Sequence, residues 1–344
     1  MASVKLTGVS LRKNQPKDHA INLQIPDGEF IALIGSSGSG VDDLIRILAG
    51  LSKNSGEIFI GGRKVNNLGP NARDVSMVFS EDALFDNLSV HKNIGLGLRM
   101  SRISDDECTR RILETARDLD ISHLLDKMPA TLTIGEKQEV AVARAIVRHP
   151  KVFLYDHPLK TLGTWERVRM RSVLARVHRK LKKTVIYATD DQSEAMSLAD
   201  RVILMKNGHI EQIGLPYDLY HSPKTRYAAS MMSMSPMGFA PTSILPASII
   251  PHGAVLAGFR PERLRIGSAK ASDVFVGKGQ VVLIEPHGSR SWVHVELNRT
   301  CWLTIEVELG ATPPYGADVD VGTSLKDIFF FDNKECLVEA KDVK

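Results

Sequence analysis

The residues best suited to chemistry form one glycine-rich segment between an apolar run and an amphipathic stretch. Its members are Gly35, Ser36, Ser37, Gly38, Ser39, Gly40, Val41, Asp42 and Asp43. Glycines in such a loop let backbone N–H groups curl around a phosphate at the start of a helix. The pattern GxxxxGK[ST] then needs a lysine for the phosphates and a hydroxyl for Mg²⁺. Because Val41 and Asp42 occupy those two positions, the sequence predicts a phosphate loop with reversed charge.

The segments around this loop alternate between strand-like and helix-like patterns. Short apolar runs predict buried strands at 29–34, 75–79, 152–155 and 184–188. Amphipathic patterns predict a helix after the loop and a long helix over 164–181. Apolar strands separated by helices indicate an α/β fold with a parallel sheet covered on both faces. Residues 87–149 lack a strong strand signal and are predicted to be a helical insertion.

The composition changes near residue 230, where a stretch rich in Met, Pro and Ser begins. Alternating segments follow, and they predict strands at 274–284, 291–296, 302–307 and 317–321. The chain is therefore predicted to hold an α/β domain over residues 1–230 and a small, barrel-like all-β domain over 236–344.

The composition excludes several classes of protein. The 344 residues include 43% hydrophobic and 24% charged side chains, as in soluble globular chains and unlike disordered ones. No apolar run approaches the roughly 18–20 residues of a membrane span, and the charged N-terminus is not a signal peptide. The net charge of +4 is dispersed, so no nucleic-acid partner is predicted. The three cysteines are too sparse for a metal cluster.

The sequence resembles the ATP-binding subunits of ABC importers, most closely the carbohydrate branch that serves maltose and glycerol-3-phosphate. The matching landmarks are GEFIALIGSSGSG, ARDVSMVF, ALFDNLSV, QEVAVARAIVRHPKVFLYD and TVIYATDDQSEAMSLADRVILMKNGHIEQIG. Residues 258–264, GFRPERL, resemble the GIRPEHL of the family's C-terminal regulatory domain. The resemblance implies a P-loop ABC domain with a helical subdomain near 87–149, followed by an OB-like (TOBE) regulatory domain.

The resemblance also assigns roles to positions at which this sequence departs from the family. The aspartate that closes the metal-assisting strand is kept, as Asp156; Asp156 and Asp42 are the candidate metal ligands. The replaced positions are the adenine-stacking aromatic (Lys13), the Q-loop glutamine (Ser80), the general base (His157), the SNLD loop (residues 160–163) and the switch histidine (Asp190). The LSGGQ signature, which clamps the γ-phosphate across the dimer, reads Leu132, Thr133, Ile134, Gly135 and Glu136.

These residues are compatible with two functions. The first is a pseudo-ATPase that keeps the ABC fold without tight ATP binding or hydrolysis, and therefore without a tightly bound cofactor. The alternative is a working ATPase that uses ATP and Mg²⁺ to energise sugar or glycerol-3-phosphate import. In that alternative Asp42 would serve as a Mg²⁺ ligand and His157 as a base.

The resemblance implies permease partners and a location on the inner face of the cell membrane. Ala83, Leu84 and Phe85, with Val90 behind them, are predicted to line the permease-docking cleft, although plain core packing also explains them. The dimer partner is either a second copy or an intact paralogue.

Overall fold

In the computed structural model, the described residues are 2–11, 19–81, 83–99, 103–267, 273–297 and 301–338. The chain divides into two compact units, Met1–Pro216 and Tyr217–Lys344. The division precedes the 230–236 junction indicated by the composition, and residues 224–226 pair with residues 335–337 of the second unit. Thr225 forms a β-bridge with Cys336, and Arg226 forms an ion pair with Glu335.

The first unit contains two sheets. Its strands are β1 (Val4–Ser10), β2 (Ile21–Ile25), β3 (Phe30–Ile34), β4 (Ser55–Ile60), β5 (Arg63–Lys64), β6 (Val75–Val78), β7 (Val152–Asp156), β8 (Thr184–Thr189), β9 (Arg201–Lys206) and β10 (His209–Gly214). The larger sheet has the order β10-β9-β3-β8-β7-β6, parallel except for β10. The smaller sheet, β2-β1-β4-β5, is antiparallel. The predicted parallel sheet is thereby confirmed.

Burial of both sheet faces explains the strand sequences. Every residue of β3 and β8 is buried, which accounts for their unbroken apolar runs. The carboxyl ends of β3, β7 and β8 lie at one edge of the sheet because these strands are parallel. That edge positions the glycine-rich loop and the polar residues that follow β7 and β8.

Helices cover the larger sheet and form the segment between β6 and β7. They are α1 (Val41–Ala49), α2 (Val90–Arg99), α3 (Asp105–Asp118), α4 (Ile134–Ile146), α5 (Thr164–Leu181) and α6 (Gln192–Leu198). Helices α2, α3 and α4 occupy the predicted helical insertion, and α5 has the predicted bounds. In α1 the buried residues Leu44, Ile47 and Leu48 share one face, as its amphipathic pattern indicates. No helix among the described residues is long and apolar enough to cross a membrane.

The second unit is mainly antiparallel β-structure, as predicted. Helix α7 (Pro216–His221) begins at the boundary between the units. It is followed by α8 (Arg226–Met231), β11 (Gly238–Pro241), β12 (Leu256–Phe259), β13 (Arg265–Ile266), β14 (Asp273–His287), β15 (Arg290–Leu297), β16 (Cys301–Glu308), β17 (Asp318–Ser324), β18 (Ile328–Phe331) and β19 (Leu337–Val338). They form the sheets β11-β12-β18-β19 and β13-β17-β14-β15-β16.

A buried arginine from the GFRPERL segment anchors this unit. The guanidinium of Arg260 lies 3.7 Å from the ring centroid of Tyr220 and donates to the carbonyl oxygens of Tyr220 and Met232. Arg260 is 1% exposed, and burial lowers the pKa of its guanidinium. This residue therefore joins α7, the end of α8 and β12.

Candidate functional site

The glycine-rich loop connects the end of β3 to the start of α1, as predicted. Gly38 and Gly40 have φ angles of 78° and 98°, in the left-handed region that favours glycine. At Gly35 a β-carbon would lie 2.3 Å from the Ser39 hydroxyl oxygen and 2.7 Å from the Met205 carbonyl oxygen. The tight curl directs the loop around the N-terminus of α1, where the first N–H groups of a helix lack intrahelical partners.

The side chains at the start of α1 carry negative charge. Val41 is 4% exposed and packs in the core with Ile31 and Leu33 of β3. Asp42 follows it with its side chain 63% exposed, and Asp43 adds a second carboxylate in the first turn. Carboxylates are favourable at a helix N-terminus by about 0.3–1 kcal/mol. The positive end of the helix is thus partly neutralised by the protein's own acidic side chains.

His157 brings the loop, β7 and the end of β8 together. Its Nε2 atom lies 3.1 Å from Oδ1 of Asp42, and its Nδ1 atom lies 3.8 Å from Oδ1 of Asp190. The backbone of His157 has a φ of 46°, a conformation that costs most side chains about 1–3 kcal/mol. Its backbone N–H donates to the carbonyl oxygen of Ala188 in β8, which fixes the turn. Three residues that lie far apart in the sequence therefore form one cluster.

Asp156 completes this cluster at the end of β7. Burial is the main cause that raises the pKa of its carboxyl group, and the nearby Asp42 carboxylate raises it further. One ligand atom from each of Asp42, Asp156 and His157 lies within 4.8 Å of the other two. Such a set of two oxygen donors and one nitrogen donor can hold a divalent cation.

The signature remnant forms the N-terminus of α4. The Thr133 hydroxyl accepts from the Glu136 N–H at 3.2 Å, and the Glu136 carboxylate accepts from the Thr133 N–H at 2.8 Å. The Thr133 N–H is the main cause that lowers the pKa of Glu136. Ile134 is 60% exposed, and Gly135 lies against Glu166. The spacing Thr-x-x-Glu is a helix-capping signal that was overlooked in the sequence.

The segment predicted to dock a permease follows β6. Phe85 is 49% exposed, Leu84 packs against the core, and Val90 is fully buried. Phe85 and Arg144 line a cavity of about 220 Å³, together with Ser76, Met77, Leu96, Gly97, Ala141, Ala145 and Arg148. Ala83 has a φ of 45°, and its carbonyl oxygen accepts from Arg144 at 2.8 Å. Phe85 therefore lines an open cleft, whereas Val90 belongs to the hydrophobic core.

Two side chains that support this cleft were missed in the sequence. Asn93 is fully buried; its amide oxygen accepts from the Phe85 N–H at 2.8 Å, and its amide nitrogen donates to the Leu88 carbonyl oxygen at 2.8 Å. The guanidinium of Arg144 donates to the carbonyl oxygen of Ala83. A polar residue on a helical pattern gives no sign of such contacts, because they depend on how α2 and α4 pack. Ser80 contributes its carbonyl oxygen, which accepts from the Thr161 hydroxyl at 3.3 Å.

A buried acid near the cluster was also missed. Glu194 is 4% exposed and accepts from the hydroxyls of Tyr187 at 2.8 Å and Thr189 at 2.7 Å. Burial raises the pKa of its carboxyl group. A pocket of about 200 Å³ separates it from His157, with Lys160, Arg167, Thr189, Asp190 and Asp191 in the lining. Lys13, which replaces the family's adenine-stacking aromatic, lies outside the described residues.

A parallel sheet whose inner strand leads through a curled glycine loop into a helix N-terminus defines the P-loop class of nucleotide-binding domains. The model of the ABC transporter family matches residues 19–160. The sn-glycerol-3-phosphate import ATP-binding protein UgpC of Brucella abortus (strain 2308) is 38% identical over 320 residues, covering 90% of this chain and 91% of that protein. The chain therefore belongs to the ABC transporter ATP-binding family.

Two further comparisons agree with this assignment. The UgpC protein of Rhodopseudomonas palustris (strain BisB5) is 43% identical over 277 residues, or 78% of this chain and 76% of that protein. The solved dimer of the ATP-binding cassette MJ0796, bound to ADP and Pi, covers 62% of this chain and 98% of its own. Its TM-score is 0.54 and its sequence identity 28%. The expected ABC fold is thus confirmed.

Proposed function

We propose that this chain is the ATP-binding-cassette subunit of a carbohydrate-type importer that has lost tight ATP binding and hydrolysis. The observation that carries the proposal is the 3.1 Å contact between His157 and Asp42 at the N-terminus of α1. The imidazole and the carboxylate lie beside the buried Val41, which replaces the lysine of the phosphate loop. The subunit would keep its fold and its partner surfaces without nucleotide turnover.

The fit of MgATP to this site is good in shape and poor in charge. The curled loop from Gly35 to Gly40 offers a backbone cradle for phosphates, and Asp42 with Asp156 offers oxygen donors of the kind that Mg²⁺ prefers. A triphosphate carries several negative charges, however, and Asp42 adds another where a lysine would neutralise them. The site therefore does not fit MgATP as a tight ligand.

The side chains at the positions that would support hydrolysis also make other contacts within the protein. Phosphoryl transfer needs an oriented nucleophile and stabilisation of the developing negative charge. His157, at the position of the family's base, contacts Asp42 and faces Asp190 across 3.8 Å. Glu136 of the signature is held in a capping contact with Thr133. These contacts favour a subunit that does not turn over ATP.

A working ATPase that energises import is the second candidate function, and the relatives favour it. Both UgpC proteins are named as import ATP-binding proteins for sn-glycerol-3-phosphate, and they match most of the chain. Phosphate release from ATP by the purified chain, with and without a permease, separates the two candidates. Release no faster than from buffer supports the pseudo-ATPase, whereas turnover that His157→Ala abolishes establishes the working enzyme.

The proposed partners are a permease and a second ATP-binding subunit. The half-exposed Phe85 at the mouth of an open cleft offers apolar area for a docking helix. The dimeric state of MJ0796 supports pairing with a second copy or a paralogue. Permease docking would hold the chain on the inner face of the cell membrane, and its weak net charge favours no nucleic acid.

Docking is tested by co-purification of the chain with the permease of a carbohydrate importer. Phe85→Glu places a charge at the mouth of the cleft and should abolish co-purification while leaving the melting temperature unchanged. Phe275→Glu is the matched control, because Phe275 is 46% exposed and lies in the second unit. Equal binding of Phe85→Glu and the native chain would contradict docking at this cleft.

A further inference from the structure

We propose that Asp42, Asp156 and His157 form a binding site for a divalent transition-metal ion of the Zn²⁺ and Co²⁺ class, occupied without nucleotide. The inference rests on the proposed function, since a tightly bound nucleotide would compete for the same place. It differs from the metal site that Asp42 and Asp156 alone would make, because an imidazole nitrogen joins the donor set. The metal would be held by the protein alone.

The positions of the three donors suit a first coordination shell. All three ligand atoms lie within 4.8 Å of one another. Metal–ligand bonds of about 2.0–2.2 Å require the ligand atoms to be about 3–4 Å apart, so small side-chain rotations suffice. Asp156 and His157 are adjacent at the end of β7, where the His157 N–H bond to Ala188 fixes the backbone. Asp42, whose side chain is 63% exposed, is free to close on the ion.

The second ring nitrogen of His157 provides an independent argument. Nδ1 is buried and makes no hydrogen bond among the described residues, although the Asp190 carboxylate lies only 3.8 Å away. A histidine that binds a metal through one nitrogen usually directs its other N–H toward a carboxylate, which fixes the tautomer and strengthens the ligand. Coordination through Nε2 would leave the Nδ1 proton facing Asp190. The arrangement thus has a second shell as well as a first.

The donor types decide the class of ion. Mg²⁺ and Ca²⁺ prefer oxygen ligands only, whereas imidazole nitrogen favours Zn²⁺, Co²⁺ and similar ions. Three protein ligands with an exposed side at Asp42 leave room for water in the remaining positions, as in open rather than closed zinc sites. The carboxylates of Asp42, Asp156 and Asp190 also make a dication electrostatically favourable.

Titration of the nucleotide-free full chain with Co²⁺, followed by visible absorption, tests this site directly. We expect one Co²⁺ per chain, displaced by Zn²⁺ and retained in excess Mg²⁺. His157→Gln and Asp42→Asn should abolish the signal, and Asp190→Asn should weaken affinity by about 10–100-fold. His209→Gln is the matched control, because His209 lies outside the cluster beside His19 and Glu211. Asp42 is exposed, so its variant should fold even if His157→Gln does not.

The outcomes separate this inference from the proposed function. Absence of a Co²⁺ signal, full affinity in Asp42→Asn, or equal loss in His209→Gln would overturn the metal site. MgATP is titrated into the metal-free chain in a parallel experiment. Tight MgATP binding would contradict the proposed function. Weak MgATP binding without any Co²⁺ binding would contradict the metal site and leave the proposed function intact.

Discussion

Restoring the charge of the phosphate loop should restore nucleotide binding. The perturbation is the double substitution Val41→Lys with Asp42→Ser, which returns an ammonium to the loop and removes the carboxylate that contacts His157. The loop already has its curled backbone, with Gly38 and Gly40 in the left-handed region. Under the proposed function, the side chains at positions 41 and 42 are therefore the main obstacle to a triphosphate. We expect a large gain in MgATP affinity without a corresponding gain in turnover.

The size of the gain follows from Coulomb's law. Two unit charges about 5 Å apart interact by about 3 kcal/mol at an effective dielectric constant of about 20. That is the attraction expected from the new lysine. The repulsion from Asp42 is smaller, about 1–2 kcal/mol, because its side chain is 63% exposed and water screens it. At about 1.4 kcal/mol per tenfold change, the sum of about 4–5 kcal/mol corresponds to roughly a thousandfold in Kd.

Isothermal titration calorimetry with MgATP measures this gain, and thermal melting checks that each variant is folded. The matched control is Val41→Lys with Asp43→Ser, which removes an equal charge one residue further along α1. It should recover the lysine's share of the gain but keep the Asp42 repulsion. A folded double variant whose affinity stays within about threefold of the native chain would refute the electrostatic reasoning.

Three other perturbations test contacts that support the site and the fold. Glu194→Gln should flatten the pH dependence of the unfolding free energy. Burial raises the pKa of the Glu194 carboxyl group above 4.5, so the native chain loses stability as the pH rises from the unfolded pKa through the folded pKa. Urea midpoints at about pH 4.5 and 7.5 should therefore differ less in the variant than in the native chain. Thr133→Ala should cost about 1 kcal/mol of unfolding free energy by urea denaturation, since it removes the cap that Thr133 shares with Glu136; an unchanged midpoint would contradict that role. Arg260→Met should destabilise the second unit by about 1–3 kcal/mol, because buried carbonyl oxygens lose their donor, and calorimetric melting should show a lower transition for that unit only.

The strand pattern made most of the first unit predictable. Strands β3 and β8 are buried on both faces, so their apolar runs are unbroken and stand out in the sequence. The small antiparallel sheet is harder to see because β1 and β2 alternate between buried and exposed residues over short lengths. The pairing of Thr225 with Cys336 joins segments that lie far apart in the chain, so the sequence carries no local signal that residues 217–230 belong to the second unit.

The site residues were predictable by type but not by their mutual contacts. The loop sequence indicated reversed charge at Val41 and Asp42, and the positions of His157 and Asp190 followed from the resemblance. The pairing of His157 with Asp42 depends on the left-handed backbone of His157 and on the common edge of β3, β7 and β8. Glu194 was missed because its burial depends on tertiary packing around Tyr187.

The measurement that tests the central claim most directly is equilibrium binding of MgATP to the unmodified chain by calorimetry at physiological salt. The reversed charge at Val41 and Asp42, and the contact of His157 with Asp42, predict that MgATP binds with a Kd weaker than about 1 μM. A submicromolar Kd for MgATP would contradict the account, because the native loop would then hold the triphosphate despite its missing lysine.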